Sequence, residues 1–168
     1  MTGGDRRLGG ASGAAFSRCR RYRYALWRHW GEGRRRVLFV GLNPSTADAR
    51  QDDPTMRRCG GFARAWGFDG MLVGNLFAWR ATRPRDLWRS PDPVGPRNDR
   101  WLGRLVREAE LVVACWGNGG RRLGRDAAFA ARFEALHCLQ VNADGTPTHP
   151  LYLPAGLEPR PWRPRAAP

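Results

Sequence analysis

Apolar and polar residues alternate near the start of the chain, and mostly apolar runs follow. Residues 21–30 (RYRYALWRHW) alternate aromatic residues with arginine, which predicts a short edge strand with one buried face. Further strands are predicted over residues 37–42, 71–76, 111–116 and 137–141. The first of these runs, VLFVGL, is continuously apolar, as is typical of a strand covered on both faces.

Helical patterns lie between these runs. Asp53 and Pro54 have the residue types of an N-cap and a first helical position, and apolar residues follow at the spacing of one helix face. Two more helices are predicted over residues 98–109 and 124–136. This alternation predicts an α/β fold: three layers, α/β/α, around a four-stranded, mostly parallel sheet, with an N-terminal edge strand or hairpin.

The length of 168 residues suits one domain with a real core. Residues 1–20 are rich in glycine, alanine, serine and arginine, and we expect them to form a disordered basic arm. Residues 21–162 are predicted to form a single α/β domain, followed by a tail over residues 163–168. We expect this domain to be a monomer.

Charge and composition narrow the function classes. The chain has 29 basic residues, all arginine, against 15 acidic ones, a formal net charge of +14. An acidic polymer is therefore a more natural partner than a basic protein, although basic tails are often only solvated. No run approaches the ~20 apolar residues of a membrane-spanning helix. No hydrophobic stretch follows the N-terminal arginines as in a secretory signal, so we expect a cytoplasmic protein with no membrane partner.

The spacing of the cysteines and the absence of phosphate-binding motifs narrow the cofactors that the sequence predicts. Cys19, Cys59, Cys115 and Cys138 are widely spaced without a CxxC pair, which argues against a zinc or iron–sulfur site. The usual dinucleotide and P-loop glycine patterns are absent. The sequence thus predicts no metal and no cofactor.

Polar residues follow the predicted strands where parallel strands end. Asn43 follows the first, Asn75 ends the second, and His149 follows the fourth. The carboxyl ends of such strands meet at one edge, where α/β proteins bind ligands. Asparagine both donates and accepts hydrogen bonds, so this edge is predicted to form a pocket for a small planar ligand such as a base.

Several motifs in order resemble a bacterial family known as a domain of unknown function, DUF1643. The match covers approximately residues 21–162. The residues that carry it are GLNPSTAD at 41–48, DDPT at 52–55, RRC at 57–59, NLFA at 75–78, RAT at 80–82, ND at 98–99 and HPLYL at 149–153.

The same order of elements is similar to the uracil-DNA glycosylase superfamily. That resemblance implies that Asn43 positions the attacking water, Asn75 reads the base, and His149 stabilises the leaving group. Leu151 or Tyr152 would then lie near the residue that wedges into DNA. The chain departs from the superfamily at Ser45, where glycine or tyrosine is usual, and at Leu151, where serine is usual.

These observations predict a DNA glycosylase-like hydrolase that recognises a modified or damaged base and cleaves its N-glycosidic bond. A neutral His149 would stabilise the departing base, and one of Asp48, Asp52 and Asp53 would act as general base, with Asp48 preferred. Phe77 or Trp79 would stack on a flipped base. The predicted catalytic residues are Asn43, Asp48 and His149, the base-binding residues are Gly41, Leu42, Asn75 and Phe77, and the nucleic-acid contacts are Ser45, Thr46, Arg57, Arg58, Arg80, Arg83 and Leu151.

Other interpretations of the same residues stay open. The pocket would equally suit a hydrolase or transferase that acts on free nucleosides or nucleotides, or a noncatalytic protein that binds modified bases. DNA is favoured over RNA as the polymer. Asp53 before Pro54 is a better helix cap than catalyst, and Asn43 and Asn75 have plausible structural roles at strand ends.

Overall fold

The fold was analysed in a computed structural model, which describes residues 8–165. The described residues form one mixed sheet of seven strands, larger than the predicted sheet of four. The strands are β1 (Ser12–Phe16), β2 (Arg23–His29), β3 (Arg36–Gly41), β4 (Gly70–Asn75), β5 (Leu111–Ala114), β6 (Leu136–Cys138) and β7 (Arg160–Pro161).

Parallel and antiparallel pairings are combined in this sheet. The strand order is β1-β2-β4-β3-β5-β6-β7. The pairs β3–β4, β3–β5 and β5–β6 are parallel, whereas β1–β2, β2–β4 and β6–β7 are antiparallel. The carboxyl ends of β3, β4, β5 and β6 therefore lie at the same edge of the sheet.

Four α-helices and two 3-10 helices connect the strands within the described residues. Asp53 caps the first helix as predicted, because its Oδ1 accepts the backbone N–H of Met56 at 2.9 Å. The helices are α1 (Pro54–Ala65), α2 (Pro84–Trp88), α3 (Asn98–Glu108) and α4 (Arg125–Arg132), with 3-10 helices at Asn118–Gly124 and Pro150–Tyr152.

Each face of the sheet packs against its own hydrophobic cluster, because side chains alternate along a strand. On β3, Leu38 and Val40 belong to the cluster that contains Leu102 of α3, and residues of α4 join them. Val37 and Phe39 belong to the cluster that contains the buried face of α1. The sheet is thus covered by α1 on one face and by α3 and α4 on the other.

The predicted disordered arm over residues 1–20 is wrong for the part that the structure describes. Residues of β1 pair antiparallel with β2, so the N-terminal edge element is a hairpin and β2 is an inner strand. Trp27 lies against Gly13 and donates from Nε1 to the carbonyl of Gly9 at 3.1 Å. Residues 1–7 and 166–168, where the arm begins and the predicted tail ends, lie outside the described residues.

Two predicted elements end at least three residues earlier than expected. The helix predicted over residues 124–136 ends at Arg132, because Phe133 is extended, and residues 133–135 connect it to β6. The strand predicted over residues 137–141 leaves the sheet after Cys138, and Val141 instead forms a bridge with Pro147. No helix in the described part of the chain is long and apolar enough to cross a membrane.

Candidate active site

A cavity of about 230 Å³ lies at the carboxyl ends of β3, β4 and β5. Residues 41–43 contribute from the end of β3, Asn75 from the end of β4 and Cys115 from the end of β5. The start of α1 contributes Asp53, and the loop before the last 3-10 helix contributes His149. The structure therefore brings Asn43, Asn75 and His149, which follow or end different predicted strands, to one cavity.

Asn75 presents an unbonded amide to this cavity. The residue is only 5% exposed, yet its side chain makes no hydrogen bond to any described residue. Gly41 lies beside it, and a Cβ at position 41 would lie 2.9 Å from Asn75 Nδ2, so a side chain there would displace the amide. Buried amides are normally hydrogen-bonded, so this one is available to a ligand or to water.

Asn43 is fixed by the backbone around it. Its Nδ2 donates to the carbonyl oxygens of Ala81 at 2.8 Å and of Pro44 at 3.1 Å. Both bonds use the amino side of the amide, so Oδ1 is the atom that remains to accept a hydrogen bond in the cavity. That arrangement can orient a water molecule.

His149 is held as a neutral donor. Its Nδ1 accepts the backbone N–H of Leu151 at 3.2 Å, so a neutral ring carries its proton on Nε2. Burial lowers the pKa of His149, while the carboxylate of Asp53 acts in the opposite direction. The ring therefore favours the neutral form and can donate from Nε2.

Arg23 places a buried positive charge at the same cavity. The residue is 2% exposed, and its Nη1 donates to the carbonyl of Ala47 at 2.9 Å. Burial lowers its pKa to about 10, partly opposed by Asp53, so the guanidinium stays charged at neutral pH. This is its one side-chain bond to the described residues, and its other N–H groups are available to an acceptor-rich ligand.

Two buried thiols also line the cavity. Burial raises the pKa of Cys59 well above its ordinary value and that of Cys115 to about 12. Cys115 Sγ lies 3.4 Å from the carbonyl oxygen of Val40. Because the thiolate is the reactive form of cysteine, burial disfavours reaction at these two thiols, and both pack within a hydrophobic cluster.

Comparison with known proteins gives one family. The model of a family described as a protein of unknown function (DUF1643) matches residues 23–151. The chain belongs to the DUF1643 family. Searches of curated proteins and of solved structures found no match. All of the residues that line the cavity, from Arg23 to Pro150, lie inside the region that defines this DUF1643 member.

Six of the residues predicted for the site line the cavity of this DUF1643 protein. They are Gly41, Leu42, Asn43, Ser45, Asn75 and His149. Sequence reasoning missed Arg23, which was hidden in the alternating aromatic and arginine pattern of β2. It ranked Asp53 behind Asp48 as a general base and favoured a capping role for it, and in the structure this carboxylate both caps α1 and lines the cavity.

Phe77 and Asp48 lie elsewhere, contrary to the prediction. Phe77 is fully buried and packs edge-on against Trp88, with 5.1 Å between ring centroids, so it cannot stack on a ligand in the cavity. Asp48 Oδ1 accepts the backbone N–H groups of Arg50 and Gln51, and these bonds lower its pKa. Its carboxylate closes a turn outside the cavity lining.

The two other aromatic and acidic candidates are also engaged outside the cavity. Trp79 packs edge-on against Tyr22, with 5.4 Å between centroids. Asp52 forms an ion pair with Arg28 at 2.9 Å. Asp53 is accordingly the carboxylate that the described residues contribute to the cavity lining.

The residues predicted to contact nucleic acid are spread around this edge. Arg57 and Arg58 line a second cavity of about 190 Å³, which lies between α1 and residues 155–156. The Arg80 guanidinium lies 4.9 Å from the Phe16 ring centroid and donates to a backbone carbonyl. Arg83 pairs loosely with Asp86 at 3.9 Å.

Two further predicted contacts are exposed near the cavity. Thr46 is exposed beside Ser45 and does not line it. Leu151 follows His149 and is 41% exposed, and the neighbouring Tyr152 is 81% exposed. Leu151 and Tyr152 thus place exposed side chains two and three residues after His149.

A metal site is not formed by the described residues. Among residues 8–165, no group of three or more His, Cys, Asp and Glu side chains could hold an ion. The polar side chains that line the cavity include two amides, an imidazole, a carboxylate and a guanidinium.

Proposed function

We propose that this protein is a base-recognising N-glycosyl hydrolase that acts on nucleic acid, similar in chemistry to the DNA glycosylases. The observation that carries the proposal is the buried Asn75 amide, which has no hydrogen-bond partner in the described chain and faces a cavity beside Gly41. An amide presents one donor and one acceptor side, which complements the edge of a flipped base.

The other side chains of the cavity supply the remaining chemistry. Asn43 Oδ1 orients a water, and Asp53 accepts a proton from that water as it attacks the anomeric carbon of the sugar. The bond between sugar and base breaks, and its electron pair leaves with the base. His149 Nε2–H donates a hydrogen bond to that developing charge, and the positive charge of Arg23 stabilises it further.

The arginines around the cavity support a polymeric substrate. Arg57, Arg58 and Arg83 are proposed to contact phosphates, and the net charge of +14 favours a polyanion. We propose DNA rather than RNA, with Leu151 or Tyr152 entering the space that the flipped base leaves.

The test is release of free bases from DNA, detected by mass spectrometry. The panel contains uracil, hypoxanthine, alkylated bases and hypermodified bases in otherwise identical duplexes. Asn75→Ala and His149→Ala should each lower base release at least about 100-fold, the lower end of what one positioned group contributes. Asn118→Ala changes an exposed asparagine that does not line the cavity, and it should leave release unchanged.

The outcomes separate the alternatives. Release that is lost in the cavity variants but kept in Asn118→Ala supports the proposal. Release that persists in both cavity variants would contradict it, because the chemistry would then lie elsewhere. Binding of modified DNA without release would indicate a noncatalytic reader of bases.

A nucleotide-acting enzyme is the second candidate, favoured by one observation. The buried Arg23 guanidinium suits a phosphate or another anionic group inside the cavity itself. Cleavage of free nucleoside monophosphates, with no cleavage of the same base in DNA, would favour this candidate.

A further inference from the structure

A row of arginines runs along the exposed side of α3, away from the residues of the candidate active site. Arg97, Arg100, Arg104 and Arg107 are spaced by three, four and three residues, which places them on one face of the helix. Together with Trp101 they line a depression of about 380 Å³. We call these four residues the α3 arginine stripe.

The acidic residues of α3 leave most of this charge uncompensated. Arg104 pairs with Glu108 at 3.2 Å, whereas Asp99 pairs with Arg125 of α4 at 2.7 Å. Within residues 8–165, Arg97, Arg100 and Arg107 form no ion pair with a carboxylate.

This arrangement weakens the helix in the absence of a partner. Like charges at these spacings on a helix repel each other. Arg97 and Arg100 also lie at the start of the helix, where the helix dipole disfavours positive charge. A bound anion would remove both penalties.

We propose that the α3 arginine stripe binds the phosphate backbone of DNA as a second contact surface. From Arg97 to Arg107 the stripe covers ten residue steps, which is about 15 Å at the rise of an α-helix. One strand of a duplex places a phosphate at about every 3.4 Å of axis, so this length faces several consecutive phosphates. Arginine binds phosphate with two parallel hydrogen bonds, which suits a repeating phosphate partner.

The start of the stripe adjoins the cavity edge of the sheet. Asn98, next to Arg97, donates from Nδ2 to the carbonyls of Asn75 at 2.9 Å and of Leu76 at 3.0 Å. The stripe therefore begins where β4 ends and runs away from the cavity. DNA whose base occupies the cavity would continue along α3, and the choice of DNA as partner rests on the proposed function.

The experiment measures binding of a labelled 20-base-pair duplex across a range of salt concentrations. The variant Arg97→Gln/Arg100→Gln/Arg107→Gln is compared with Arg34→Gln/Arg85→Gln/Arg89→Gln, which removes the same charge from three exposed arginines elsewhere. The stripe variant should raise Kd at least about tenfold at low salt. The slope of log K against log salt concentration should also become shallower, by about 0.9 for each of the three phosphate contacts that are lost.

Matched controls make each outcome decisive. Equal weakening in both variants would overturn the proposal, because total charge alone would then explain binding. Competition by polyglutamate as effective as that by unlabelled DNA would also overturn it, in favour of an acidic protein partner. A stripe-specific loss that polyglutamate does not reproduce supports it.

Base release distinguishes this proposal from the proposed function. Stripe-dependent DNA binding without base release from any substrate would support the stripe and count against the hydrolase. If the stripe variant left both Kd and base release unchanged at every DNA concentration, the proposed role of the stripe would be overturned. The proposed hydrolase activity would not be affected by that result.

Discussion

The two asparagines of the cavity differ in their hydrogen bonds, and this difference separates their roles. Asn43 gives its amino group to two backbone carbonyls and so holds the loop that begins after β3. The side chain of Asn75 makes no hydrogen bond within the described chain, although the residue is buried. Because Asn75 lines the cavity, its donor and acceptor are open to a ligand there. We therefore assign recognition to Asn75 and positioning of water to Asn43.

The lowered pKa of His149 makes a prediction about stability against pH. Because burial disfavours the charged ring in the folded protein, the unfolded chain takes up the proton first as pH falls through about 6.5. The neutral ring thus stabilises the fold fully above this range and progressively less below it. His149→Gln removes the titrating group. The advantage of the wild type over His149→Gln in free energy of unfolding should shrink between pH 7.5 and pH 5.

Urea denaturation of both proteins at several pH values measures this difference. Taking the difference between the two proteins cancels the titration of groups that they share, including His29, whose pKa is also lowered by burial. A difference that is constant with pH, or that grows as the solution is acidified, would contradict the neutral Nε2–H donor assigned to His149.

At the scale of elements, the start of α1 combines two tasks in one side chain. Asp53 caps the helix through the N–H of Met56 and also lines the cavity near Arg23 and His149. The capping hydrogen bond fixes the position of the side chain, so the carboxylate is already placed at the cavity before a ligand binds. The same helix therefore provides both packing for one face of the sheet and the proposed general base.

The two tasks of Asp53 can be separated by substitution. Asp53→Asn keeps an oxygen for the cap but removes the charge, whereas Asp53→Ala removes both. We expect Asp53→Ala to lower the free energy of unfolding by about 1 kcal/mol and Asp53→Asn to lower it less. Both should reduce base release, because neither can take a proton from water.

Asp48→Ala is the matched control for these variants, since Asp48 closes an exposed turn outside the cavity. Base release should stay near that of the wild type in Asp48→Ala. If Asp48→Ala abolished release while Asp53→Asn retained it, the general base would be the residue first preferred from the sequence.

Local patterns predict the inner strands well and the less regular elements poorly. The predicted strand over residues 37–42 and β3 differ by one residue at each end, because a continuous apolar run has few alternative environments. β1 has the sequence SGAAF, whose small side chains resemble a flexible linker, and only its pairing with β2 makes it a strand. β7 has two residues and depends entirely on β6.

The site shows the same division between local and tertiary information. Asn43, Asn75 and His149 follow predicted strands, so topology alone brings them to one edge. Arg23 enters the cavity because β2 pairs beside β4, a neighbour relation that the sequence does not reveal. Phe77 was misplaced because the direction of a side chain two residues beyond β4 depends on α2, where Trp88 covers it.

At the scale of the whole molecule, the N-terminal hairpin extends the sheet beyond the limit predicted for the domain. β1 covers the outer edge of β2 and so protects a strand that would otherwise expose unpaired backbone groups. The sheet continues from this hairpin through β4 to β3, which provides Gly41 to the cavity. Residues before position 21 thus belong to the unit that supports the site.

Substitution within β1 tests whether this hairpin forms part of the fold. Gly13 is buried beneath the Trp27 indole, and a side chain at position 13 would collide with that ring. Gly13→Val should lower the free energy of unfolding by about 1–3 kcal/mol, as overpacking typically does. In thermal denaturation this corresponds to about 2–4 °C in Tm per kcal/mol for a chain of this size.

Ser12→Val adds the same side chain at the neighbouring exposed position of β1. Since valine favours strands, it should leave Tm unchanged or raise it slightly. A disordered arm would tolerate both substitutions equally. Equal Tm values for the two variants would therefore exclude the hairpin and return the domain limit to residue 21, whereas a loss confined to Gly13→Val would show that β1 contributes to the stability of the sheet.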